Sequence, residues 1–304
     1  MSIDSESAVA SRPAETHSRI DRVPAPAYFA VSAVFHYLGP AFAVLLFTRV
    51  DPLGVTWLRI AGAAVIFAVW RRPWRVIARA TSDQRRLLVG LGVVLALMNA
   101  SFYLAVDRLP LATVGAVEFV GVIGLAAIGL RSARNVMALA LVVIGVGVLA
   151  DVHLAAEPVG LAFAFANCAL FVGYVVLGHR IAQSGRLGTG GIDQLGAAMI
   201  LAAVVATPIG LAGAMPAFTD PTLLLAGLGV AVCSSVIPYV TDQLAMARLP
   251  RATFALLLSL LPVFAVVIGA VVLRQLPTLT ELAGIAVVVA GVAIHQVPSP
   301  KEDQ

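Results

Sequence analysis

Ten long apolar runs follow one another along this 304-residue chain with only short polar breaks between them, at 27–47, 53–70, 87–106, 111–130, 135–150, 159–179, 191–213, 222–247, 251–273 and 278–296. A bilayer's hydrocarbon core is about 30 Å thick, and a helix needs about 20 apolar residues to cross it. The runs are of that order, so they predict an all-α polytopic membrane protein with ten transmembrane helices. Proline marks the turns: Asp51-Pro52, Leu109-Pro110, Glu157-Pro158, Asp220-Pro221, Leu249-Pro250 and Leu276-Pro277 all fall between runs. Its ring suits the first turn of a helix and breaks the interior of one.

The composition closes other routes. Apolar residues make up 60% and charged residues 12%, against about 45–50% and about 25% in a soluble domain. So little polar material cannot cover a water-facing surface. A soluble enzyme, a nucleic-acid-binding domain and a disordered scaffold are excluded, in spite of the net charge of +4. Cys168 and Cys233 both lie inside apolar runs, with no CxxC and no disulfide framework. Residues 1–26 are polar and lack the pattern of a secretory signal. They are expected to form a disordered cytoplasmic tail, with a second short tail at 297–304.

Orientation follows from the basic residues of alternate loops. With the N-terminus inside, the cytoplasmic segments hold 16 Arg and Lys and the opposite loops hold 3. Both termini are therefore expected in the cytoplasm. The largest cluster, Arg71, Arg72, Arg75, Arg79, Arg85 and Arg86, reads as a topology anchor beside anionic lipid.

One pattern is internal. Arg108-Leu109-Pro110-Leu111-Ala112-Thr113 recurs 140 residues later as Arg248-Leu249-Pro250-Arg251-Ala252-Thr253, matching at five of six positions. Five spans separate the copies, so the two halves would insert with opposite polarity. The expectation is two inverted five-helix repeats, 27–150 and 158–296. Such halves build transporters that open alternately to either side of a central site.

Several ordered stretches carry a resemblance: Gly54-Val55-Thr56 with Leu58-Arg59; Met98-Asn99 with Phe102-Tyr103; Leu109-Pro110-Leu111 with Glu118-Phe119; and Pro238-Tyr239 leading to Arg248-Leu249-Pro250 and Thr253-Phe254. In order and spacing they resemble the EamA-type branch of the drug/metabolite transporter superfamily, most closely its bacterial threonine/homoserine exporters. The resemblance implies ten helices in two inverted repeats and export of small metabolites from the cytoplasm. It departs at Leu261-Pro262, where related exporters often have a Glu before the proline, and at Arg274-Gln275, where they often have Gly-Glu.

The candidate site residues lie within the spans. Arg59 and Glu118 both sit about 10 Å below the outer surface at about 1.5 Å per residue. A charge there costs about 2.5–3.5 kcal/mol unless it finds a partner or a wet cavity. An Arg59–Glu118 salt bridge is one reading; a proton or substrate-amine site at Glu118 is the other. Asn99, Phe102 and Tyr103 share a face of span three, Ser235, Pro238, Tyr239 and Asp242 one of span eight, and Asn167, Phe171 and Tyr174 one of span six. Together they could wall a zwitterion-sized solute, or simply pack helix on helix. His36, Pro40, Pro238 and Pro262 are candidate gating residues, Gly115 and Gly121 would let a neighbour approach Glu118, and Asp242 would be solvated at the cytoplasmic end.

No HExxH, Ser/His/Asp order or GxxxxGK[ST] is present, so no metal, cofactor or ATP hydrolysis is expected. The function that emerges is a secondary transporter, not an enzyme. It would sit in a bacterial inner membrane as a monomer or homodimer and export small polar metabolites, amino acids such as threonine or homoserine. By analogy with the family, proton exchange would drive it, with uncoupled exchange as the other course. A membrane channel or a membrane-embedded lipid-modifying enzyme is the alternative.

Overall fold

The computed structural model describes residues 25–129, 133–154, 157–184, 191–246 and 261–294. Most of the expected N-terminal tail, the second copy of the hexapeptide repeat and the C-terminal tail lie outside the described residues. The regular elements are all helical: α1 (Ala25–Leu46), α2 (Pro52–Arg71), α3 (Trp74–Arg79), α4 (Ser82–Val106), α5 (Leu111–Gly129), α6 (Ala133–Leu154), α7 (Pro158–Ser184), α8 (Gly191–Thr219), α9 (Pro221–Ala231), a π-helical turn (Val232–Val236), α10 (Ile237–Met246), α11 (Leu261–Leu273) and α12 (Leu279–Ile294).

Among the described residues, five stretches are long and apolar enough to cross a membrane: Ala27–Leu46, Pro52–Arg71, Ser82–Val106, Gly191–Thr219 and Pro221–Asp242. The last joins α9, the π turn and α10 into one span. Shorter apolar stretches lie in α6, α7, α11 and α12. The chain is a multi-pass membrane protein. Two details differ from the expectation. The arginine cluster is not all loop, because α3 forms inside it. Helix α8 continues through Pro216 to Thr219 instead of ending near 213.

The proline breaks start helices as their chemistry requires. Asp51 and Asp220 precede Pro52 and Pro221, and their carboxylates accept from the backbone N–H of Leu53 at 2.8 Å and Thr222 at 2.9 Å. Each satisfies a donor that the helix itself leaves open. The Thr222 hydroxyl and backbone N–H hold the Asp220 carboxyl below its ordinary range. Its capping contribution is therefore present at neutral pH and is lost as pH falls through that lowered value.

Small residues set the packing. Helices α2 and α8 run antiparallel, and a Cβ at Gly54 would collide with the backbone of Gly213. Glycine at this crossing lets the two backbones touch, which favours association where lipid offers no hydrophobic drive. Trp57 Nε1 donates to Thr207 Oγ1 across the same pair at 3.0 Å. Helices α6 and α12 pair in the same way through Gly145 and Gly291.

Helices far apart along the chain pack together. Helix α1 packs chiefly on α10, α11 and the π turn, and only lightly on α2 and α4. Helix α7 packs chiefly on α4 and α5. Helix α1 is thus set among the late helices and α7 among the early ones.

The departure at Arg274-Gln275 has a geometric content. Arg274 sits at φ 56° just past α11, in the left-handed region that glycine occupies without cost. Gln275 N donates to Gly269 O at 3.0 Å, which closes the helix end. Gln275 Oε1 accepts from Leu111 N at 3.1 Å, the first residue of α5. A Glu would accept that bond equally, so the amide preserves the cap. Arg274→Gly should therefore raise the melting temperature of the detergent-solubilised protein, by about 1 kcal/mol of relieved backbone strain. Gly54→Val should lower it sharply by forcing α2 off α8.

Candidate functional site

The site is built on an irregularity in the span formed by α9 and α10. Pro238 has no N–H, so the carbonyl four residues back, that of Ser234, loses its ordinary helical donor. The helix widens into the π turn at Val232–Val236. Such turns are single-turn insertions in α-helices, often found at functional sites. Space for it comes from α1, where a Cβ on Gly39 would run into Ser234.

Arg59 fills the vacant acceptor. From α2, its Nη2 donates to Ser234 O at 2.7 Å and its Nε to Ser235 Oγ at 2.9 Å. Its guanidinium carbon also lies 5.4 Å from the centroid of the Tyr103 ring. Arg59 is 5% exposed and Ser235 0%. A hydrogen bond to a charged group contributes about 1.5–3 kcal/mol, so two of them offset an insertion cost of about 2.5–3.5 kcal/mol. The arginine is stable here without an anion.

Glu118 is held elsewhere. It is 5% exposed on α5, and Asn167 Nδ2 from α7 donates to its Oε1 at 3.3 Å. No Arg59–Glu118 ion pair forms, which corrects the salt-bridge reading. The two side chains are held by different helices, Arg59 by the π turn and Glu118 by α7. One long hydrogen bond offsets less of the burial cost than Arg59 recovers. Glu118 is the less compensated charge.

Glycines shape its surroundings as the sequence anticipated. A Cβ on Gly115 would stand 2.8 Å from the Tyr37 hydroxyl and 3.3 Å from the Ala265 Cβ. On Gly121 it would stand 2.8 Å from Cys168 Sγ. Helices α1, α11 and α7 thus close in on one face of α5.

The remaining candidates form a third group. Rings of Phe171 and Tyr174 lie 5.8 Å apart, and Tyr174 and Tyr239 6.3 Å apart. Asn99 neighbours Tyr239 while donating to Leu95 O at 2.7 Å in its own helix. Phe102 is buried beside Tyr103, with ring centroids 5.9 Å apart. The Tyr103 hydroxyl meets Ser234 Oγ at 3.5 Å. His36 is half-buried, its ring edge-on to Tyr37 at 5.3 Å. Pro40 is buried within α1 and Pro262 lies in α11. Asp242 is not simply solvated: it is half-buried and accepts from Ser32 Oγ at 2.5 Å. A cavity of about 190 Å³ lies apart from these groups, between the start of α5 and the α11–α12 turn, lined by Thr113, Gln275 and Glu281 among others.

Residues 158–295 match the EamA-like transporter family. The threonine/homoserine exporters RhtA of Salmonella typhimurium and Escherichia coli are each 31% identical over 83% of this chain and 84% of their own length. The chain belongs to the EamA-like transporter family. A solved crystal structure shares the fold, with a TM-score of 0.58 and 19% identity over 88% of this chain and 96% of that one.

Two contributors to this site went unread in the sequence. Ser234 was signalled, since it stands four residues before Pro238, but its partner lies 175 residues away. Tyr37 had no local signal beyond its place in span one. If Arg59 is held by hydrogen bonds and not by a counterion, double-mutant cycles on thermal unfolding should separate the two. The Arg59–Ser235 coupling should be about 1.5–3 kcal/mol and should exceed the Arg59–Glu118 coupling.

Proposed function

We propose that this chain is a secondary transporter that exports small polar metabolites, amino acids such as threonine or homoserine, from the bacterial cytoplasm. The observation that carries the reading is a pair of unlike buried charges, Arg59 and Glu118, each held by neutral groups and left free of the other. An α-amino acid carries the same two charges at one end. Arg59 is the pole for its carboxylate and Glu118 the pole for its ammonium, with the Tyr174–Tyr239 rings beside them. The names of the RhtA relatives support this substrate class.

The transporter works by alternating access between two inverted five-helix repeats of a ten-span bundle. The helix pairings support that symmetry. Shifting every span by five exchanges the α1–α10 pairing with α7–α4 and the α1–α11 pairing with α7–α5, and returns α2–α8 and α6–α12 to themselves. The excess of basic residues in alternate loops supports cytoplasmic termini in the inner membrane. His36, Pro40, Pro238 and Pro262 lie on the helices that would move, and the Ser32–Asp242 bond ties α1 to α10 at the cytoplasmic end. Proton exchange at Glu118 drives the cycle.

Purified protein in proteoliposomes should exchange labelled threonine or homoserine in saturable counterflow, faster with a pH gradient. Conductance without counterflow would make it a channel, and no flux across an amino-acid panel would end the exporter reading. Glu118→Gln should retain the wild-type melting temperature and lose export. Normal gradient-driven export by that variant would remove Glu118 from the coupling.

A further inference from the structure

Two polar atoms are buried beside Glu118 without a hydrogen-bond partner: the Tyr37 hydroxyl and the Asn167 amide oxygen. Their residues are 0% and 1% exposed. Tyr37 reaches α5 through the notch at Gly115, one turn before Glu118. Asn167 comes from α7. Its Nδ2 is committed to Glu118 Oε1, which fixes the amide oxygen as the free end.

An orphaned buried polar atom costs about 1–3 kcal/mol, and native proteins keep few of them. The Tyr37 hydroxyl does not serve packing, because phenylalanine would fill its site with the same ring. The cost becomes intelligible if both atoms meet a partner during transport. Glu118, the Asn167 oxygen and the Tyr37 oxygen all accept hydrogen bonds and come from three different helices. A primary ammonium has three N–H donors, one positive charge and no acceptor.

We propose that Tyr37, Asn167 and Glu118 form a subsite for an unsubstituted primary ammonium, with one acceptor for each N–H. The proposal rests on the amino-acid exporter reading and sharpens it. The subsite recognises the substrate's ammonium and rejects N-alkylated amines, which lack a donor for the third acceptor. Tyr37 acts here as a specificity-determining residue. Its hydroxyl is useful to the ligand and idle in the empty protein.

The test uses the full-length protein in proteoliposomes, with labelled threonine and its N-methyl and N,N-dimethyl derivatives, and the Tyr37→Phe variant. In the wild type, each added methyl should raise KM by about tenfold, the loss expected for a hydrogen bond involving a charged donor. Tyr37→Phe should raise the KM for threonine by a similar factor and abolish the preference for threonine over its N-methyl form. The melting temperature of the empty variant should be unchanged or higher, while the rise that threonine gives the wild type should shrink. An unchanged KM in Tyr37→Phe, indifference of the wild type to N-methylation, or a variant that no longer folds would each overturn the subsite. If the wild type still carries threonine in those cases, the exporter reading survives alone. If it carries no amino acid, both fall.

Discussion

A membrane interior offers no water to a stranded carbonyl or a buried charge, so each must find its partner inside the protein. That constraint organises the centre of this molecule. Pro238 removes one N–H and frees the Ser234 carbonyl, and Arg59 brings in a charge that needs acceptors. Each is costly alone, and together they satisfy one another. Because Ser234 and Ser235 meet the needs of Arg59, Glu118 is not consumed as its counterion. A fixed ion pair between them would have left nothing for a third party to bind.

Close backbone contact is the second element of the design. Glycine at Gly54 and Gly213 lets α2 and α8 touch, and Gly39 receives the widened turn. These contacts lie away from Glu118, where Gly115 instead admits a tyrosine. The same residue type therefore tightens the scaffold in one place and opens the site in another. The apolar faces of α2 and α8 that look outward, such as Val65 at 62% and Val204 at 66% exposed, are surfaces that lipid can cover.

Much of this was legible in the sequence. Apolar runs divided by Asp-Pro and Leu-Pro pairs announced the helices, since both signals are local and depend only on composition and backbone chemistry. Azimuth was not legible. Which side of a helix faces which neighbour is decided by contacts such as Arg59–Ser235, 176 residues apart, and the salt-bridge reading failed for that reason. Asp242 was misread in the same way, since Ser32 is 210 residues distant from it. The π turn has no residue signature apart from Pro238, and its position depends on room left by Gly39 in another helix.

The packing of α1 on helices late in the chain has a consequence for how the molecule is made. The principal neighbours of α1 lie in α10 and α11, about 200 residues further along the chain. At about 5–20 residues per second of synthesis, α1 waits roughly 10–40 s in the bilayer before its neighbours emerge. During that interval Ser32 and Tyr37 have only lipid and the earliest helices for company. Assembly around α1 must wait until α10 and α11 have been made and can enclose it.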